Sequence, residues 1–124
     1  MARILVSEDD EAMRQFLAVA LARSGHDVVA VGDGDSASRN IEQDDYDLLL
    51  ADIRMPGIDG NGVVKHIRNS DKQSIPVIAI SGTPWLMESN AFDMVLAKPF
   101  PLKKLVDSIR SFGMMAPQEA VGMS

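Results

Sequence analysis

Four short stretches of this 124-residue chain end in side chains that could work on a phosphate together. Glu8-Asp9-Asp10 follows Ile4-Leu5-Val6, and Asp52 closes Tyr46-Asp47-Leu48-Leu49-Leu50-Ala51. Ser81 follows Val77-Ile78-Ala79-Ile80, and Lys98 follows Met94-Val95-Leu96-Ala97. Carboxylates gathered within a few ångströms repel by roughly 4 kcal/mol per pair at 4 Å and an effective dielectric near 20, unless they take up protons or a cation. An oxygen-only ligand set selects Mg²⁺, Mn²⁺ or Ca²⁺, and phosphoryl chemistry with retained metal waters favours Mg²⁺. One aspartate oxygen could then attack phosphorus to give an acyl phosphate, while an ammonium and a hydroxyl satisfy the phosphoryl oxygens.

Taken singly, each of these residues has a plainer reading. Glu8-Asp9-Asp10 could cap a helix N-terminus, Asp52 and Ser81 could be turn or loop residues, and Lys98 a solvated cation. Their joint placement at the ends of four apolar runs favours a site, provided the runs lie side by side.

The elements that would align them are legible as a switch between short continuous apolar runs and helical spacing, the pattern of βα units around a parallel sheet. Strands are predicted at 3–7, 27–31, 47–52, 76–80 and 93–97. Met13, Phe16, Leu17, Ala20 and Leu21 form one stripe of a helix over 10–24, ended by Gly25. A weaker second helix covers 35–43 after the Asp33-Gly34 turn. A third covers 59–69 with Val63, Val64 and Ile67 inward. A last helix begins near Pro101 and carries Leu102, Leu105, Val106 and Ile109. Between Ser81 and Lys98 there is room only for a short or irregular fourth helix of five, within Trp85 to Glu88. In open parallel sheets of this kind ligands sit beyond the strand C-termini, beside the switch in strand order.

Composition narrows the function classes. The length suits one domain, and a net charge of −6 is opposite in sign to a nucleic-acid footprint, so no direct nucleic-acid contact is expected. The absence of cysteine excludes thiolate metal sites and disulfides and suits a reducing compartment. No apolar stretch approaches the roughly 20 residues that cross a bilayer, nor is there a signal-peptide pattern. A cytoplasmic protein without membrane contact is the expectation. His26, after Gly25, and His66, beside Lys65, are both expected on the surface.

With these residues in hand, the chain resembles the receiver domains of two-component response regulators, like the chemotaxis regulator. The resemblance covers residues 2 to 112 and rests on Ile4-Leu5-Val6-Ser7-Glu8-Asp9-Asp10, on Asp47 through Gly60, and on Lys98-Pro99-Phe100. It implies a flavodoxin-like, doubly wound α/β fold: a five-stranded parallel sheet in the order 2-1-3-4-5. A receiver domain over 1–112 and a mobile tail over 113–124 are expected. The resemblance implies that Asp52 is the phosphoacceptor, with Asp9 and the backbone carbonyl of Arg54 as direct Mg²⁺ ligands and Glu8 acting through metal-bound water. Ser81 takes the hydroxyl position, and Lys98 the ammonium position before a cis Pro99. Gly57 and Gly60 match the turn beyond Asp52. The Arg54 side chain would either gate water or be solvated.

Implied partners are a bacterial sensor histidine kinase or phosphotransfer protein, which supplies the donor histidine, and a downstream protein target. Among stand-alone members, the N-terminal half looks most like protease-adaptor regulators. Two departures stand out. Val95 replaces the usual aromatic residue three positions before Lys98, and the shortened segment bearing Trp85, Leu86, Met87 and Phe92 lies on the face that contacts partners. That segment would form core or an adaptable binding surface. Two other functions remain open: a phosphorylation-independent binding module, although no acidic or lysine position is missing, and a Mg²⁺-dependent phosphatase with an aspartate nucleophile. The latter wants a second Asp where Arg54 stands.

Overall fold

A computed structural model of the chain describes residues 2–53, 60–72, 74–82 and 92–113. Five strands, β1 (Arg3–Ser7), β2 (Asp27–Val31), β3 (Leu48–Asp52), β4 (Val77–Ser81) and β5 (Met94–Ala97), form one parallel sheet in the order β2-β1-β3-β4-β5. Every residue of β3 and β4 is buried, as expected for central strands covered on both faces. The helices are α1 (Glu11–Arg23), α2 (Gly34–Gln43), α3 (Gly60–Arg68) and α4 (Leu102–Ser111). Four helices are therefore present among the described residues. The short helix expected near Trp85 falls at 83–91, outside them, as do Arg54, Gly57 and the tail from 114.

Alternation along the strands divides the apolar residues between two cores. Ile4, Val6, Leu48, Leu50, Ile78 and Ile80 pack on one face with Leu17 and Leu21 of α1 and Leu105 and Ile109 of α4. Leu5, Leu49, Ala51 and Val77 pack on the other with Ile41 of α2 and Val63, Val64 and Ile67 of α3. Phe92 packs partly buried against this second core. Strand and helix bounds agree with the sequence pattern within a residue or two, and Gly25 takes the left-handed conformation (φ 91°) after α1.

Three expectations change in detail. The α1 stripe is narrower than the periodicity suggests: Leu17 and Leu21 are fully buried and Met13 partly, but Phe16 is 49% exposed. Neighbouring residues point about 100° apart on a helix, so Phe16 cannot share the inward direction of Leu17. Asp33 caps α2, accepting the Ser36 N–H at 2.7 Å, so the helix starts at Gly34. His26 is buried instead of exposed. Its Nδ1 accepts the Ala2 N–H at 3.1 Å, while the Asp27 N–H donates to the Ala2 carbonyl at 2.9 Å, closing the start of the β1–β2 ladder around it. His66 is on the surface as expected, with Nε2 2.7 Å from Glu42 Oε1 on α2.

Candidate functional site

The sheet brings the predicted residues to one edge because β1 and β3, neighbours in space, lead to helices on opposite faces. A crevice opens between their C-terminal ends. Asp52 is the last residue of β3, and the backbone stays in the ladder one residue further, with the Ile53 N–H on the Ile80 carbonyl at 3.0 Å. Glu8 is fixed likewise, its N–H on the Val31 carbonyl at 3.0 Å. The Lys98 N–H donates to the Ser81 carbonyl at 2.8 Å, carrying Lys98 past the end of β5. The Lys98–Pro99 peptide is cis.

From these anchors the side chains converge. Lys98 Nζ lies 2.9 Å from Glu8 Oε1 and 3.0 Å from Asp52 Oδ2. Glu8 is entirely buried and Asp52 is 5% exposed, whereas Asp9 faces solvent. Glu8, Asp9 and Asp52 can each present an oxygen within 4.8 Å of the others. Ser81, buried at the end of β4, sits on the strand next to Asp52. Asp10 takes the plainer role: it caps α1, accepting the Met13 N–H at 2.8 Å, and its own N–H donates to Glu8 Oε2 at 3.1 Å. The acidic triplet is thus divided, two residues facing the crevice and one serving the helix.

The electrostatics follow from burial. Desolvation pushes the Glu8 carboxyl up to about 7, aided by its hydrogen bond with Asp52, while Lys98 and the Asp10 N–H pull it down. For Lys98, burial works against the charged form, but the hydrogen bonds to Glu8 and Asp52 outweigh it and hold the ammonium above its ordinary value. Once Glu8 gives up its proton, three carboxylates face one ammonium and leave two negative charges for a divalent cation to balance. Oxygen donors of this hardness, two of them buried and one open to water, fit Mg²⁺.

Two residues of the site carry roles that sequence patterning does not show. Gly60, at the start of α3, donates its N–H to the Ile53 carbonyl at 2.9 Å. A Cβ there would lie 2.5 Å from the Asp52 carbonyl oxygen and 2.8 Å from Ile53 Cα, so the need is for close approach to β3. Arg14 reaches back from α1 to the carbonyls of Glu8 and Asp9. The one available signal was a cation in the first turn of a helix, where the macrodipole disfavours it. Trp85 and the Arg54 carbonyl lie outside the described residues, and Val95 is 38% exposed on edge strand β5.

Comparison with known proteins decides the family, since the model of the response regulator receiver domain matches residues 4–110. The chain belongs to the receiver family. It is 35% identical over 114 residues to the response regulator receiver protein CpdR of Brucella abortus, covering 88% of this chain and 94% of that protein. It is 31% identical over 117 residues to the sensor kinase/phosphatase CqsS of Vibrio cholerae, covering 89% of this chain but only 17% of that protein. Among solved structures, response regulator TrrA of Thermotoga maritima, in complex with Mg²⁺-BeF, superposes with a TM-score of 0.83 at 29% identity, over 90% of this chain and 99% of that one. The receiver domain of the Pseudomonas aeruginosa histidine kinase PA1611, with a magnesium ion in its active-site cleft, gives 0.82 at 29% identity over 91% and 98%. Receivers are signalling domains that take phosphoryl groups from histidine kinases and act on downstream targets. This chain is a phosphorylatable response regulator receiver whose Glu8, Asp9 and Asp52 form an acidic cluster suited to Mg²⁺, and no helix among its described residues is long and apolar enough to cross a membrane.

Proposed function

We propose that this receiver accepts a phosphoryl group on Asp52 and signals through protein contacts that the modification alters. The observation that carries the reading is Lys98 Nζ bridging Glu8 and Asp52, at 2.9 and 3.0 Å, on the strand edge where the acidic cluster gathers. Asp9 and Asp52 would hold Mg²⁺ directly, with the Arg54 backbone carbonyl, and Glu8 through a metal-bound water. Bound Mg²⁺ supplies neutralisation of charge on the phosphoryl oxygens.

A carboxylate oxygen of Asp52 attacks phosphorus in line with the donor's P–N bond. That bond breaks, its electron pair stays on the donor histidine nitrogen, and an acyl phosphate forms. Lys98 leaves its ion pair with Asp52 to hold one phosphoryl oxygen, and the Ser81 hydroxyl donates to another. Water attack on phosphorus regenerates the carboxylate and releases inorganic phosphate. The domain performs only these two steps on itself.

The donor histidine belongs to a sensor kinase or phosphotransfer protein, in the cytoplasm. His26 is buried behind β1 and His66 is occupied by Glu42, which supports a donor in trans. Residues 1–112 form the receiver and 113–124 a tail, and likeness to CpdR over 94% of its length supports a regulator of the protease-adaptor kind that the N-terminal half resembles. Output runs through a face containing Trp85 and Val95, without the usual aromatic switch. Calorimetric titration with beryllofluoride in the presence of Mg²⁺ tests the acceptor: wild type binds with one-to-one stoichiometry and Asp52→Asn does not. Equal binding by both would remove Asp52 from its role.

A further inference from the structure

Arg14 and Gly32 have no part in the chemistry above, yet they meet beside the turn that carries Glu8 and Asp9. Arg14 lies near the start of α1, after the four consecutive acids Glu8 to Glu11, and its side chain folds back along the turn that carries Glu8 and Asp9. Its Nη1 lies 3.0 Å from the Glu8 carbonyl oxygen and 3.4 Å from that of Asp9. One permanently charged donor thus holds two successive backbone carbonyls of the turn that bears Glu8 and Asp9. Gly32 supplies the seat. A Cβ built there would lie 2.9 Å from Arg14 Nη1 and 3.6 Å from its Cζ, and meets nothing else within 4 Å. The β2 end that bears Gly32 is tied to the same turn by the Glu8 N–H on the Val31 carbonyl.

We infer that Arg14 is a positioning residue for cation binding: seated against Gly32, its guanidinium fixes the Glu8-Asp9 backbone and so aims the two carboxylates at the ion. This rests on the proposed roles of Glu8 and Asp9. The geometry separates positioning from mere stability, because the atom that a methyl at Gly32 would strike is the far end of a flexible side chain. Gly32→Ala therefore displaces the guanidinium at little cost to the fold, while the carbonyls lose their donor. Groups that orient metal ligands from outside the ligand set typically contribute about 10–100-fold to metal affinity.

Calorimetric titration of the full chain with Mg²⁺ alone, beside thermal unfolding in EDTA, tests this. Gly32→Ala and Arg14→Ala should each weaken Mg²⁺ binding by about tenfold. Gly32→Ala should move the EDTA unfolding midpoint by no more than about 4 °C. The combined variant should bind no more weakly than Arg14→Ala alone, since the methyl then has nothing to displace. Wild-type affinity in Gly32→Ala, or full additivity of the two losses, overturns the inference. If Arg14→Ala does not fold, Gly32→Ala alone decides in the same way. Asp9→Asn separates the two levels: if it binds Mg²⁺ as wild type does, the cation site itself is wrongly placed, whereas its loss of binding beside an unaffected Gly32→Ala leaves the site standing and removes only Arg14.

Discussion

Glu8 couples the site to pH, because a carboxyl with no exposed surface and a second carboxyl beside it holds its proton to about 7, against 4.5 in an unconstrained chain. Between those values the folded, ion-free protein keeps a proton that the unfolded chain releases. The resulting stabilisation is complete below about 4.5 and is lost as pH rises through about 7, a change of at most about 3 kcal/mol. Lys98, whose charge is reinforced, stays protonated across that window. Mg²⁺ needs the ionised carboxylate, so its affinity should fall by up to tenfold per pH unit below about 7, with proton release on binding. Calorimetry in buffers of different ionisation enthalpy would show this, and an affinity constant from about pH 5.5 to 8 would contradict it. At this scale residue types alone did not divide the labour, and it was the family resemblance that set Glu8 and Asp9 at the site. Four adjacent acids, Glu8 to Glu11, look alike on paper; the position of the α1 start puts Glu11 in the helix, makes Asp10 a cap and leaves Glu8 and Asp9 to the crevice.

At the scale of elements, α3 is set against β3 by a contact that tolerates no side chain. The Gly60→Ala methyl would meet the backbone at Asp52 and Ile53, and backbone at the end of a fully buried strand cannot step aside as the tip of an arginine can. The substitution should cost about 1–3 kcal/mol, as overpacking does, read as a lower urea midpoint with unchanged slope. A midpoint equal to wild type would mean that α3 and β3 are less tightly joined. The sheet was legible because continuous apolar runs and helical stripes differ in period. Close backbone approach leaves no such period, and Gly60 looked like one more turn glycine. Phe16 and His26 failed for a related reason: hydropathy reports a preference for burial, whereas the direction of α1 and the path of the chain into β2 decide which side chain receives it.

Over the whole molecule, the strand order places the ends of β1 and β3 side by side and those of β4 and β5 next in line, so residues 8, 9, 52, 81 and 98 share one edge although 90 positions separate Glu8 from Lys98. That convergence was readable from the spacing of runs. The proposed output face was not, since the departures from the family pattern, Val95 among them, withdraw the usual template. The most direct measurement incubates the protein with Mg²⁺ and a small-molecule phosphodonor, traps the acyl phosphate by borohydride reduction and locates it by tandem mass spectrometry. A single modified residue, Asp52, is expected, with no labelling in EDTA or in Asp52→Asn. A phosphoryl group on any other residue, or undiminished labelling of Asp52→Asn, would contradict it.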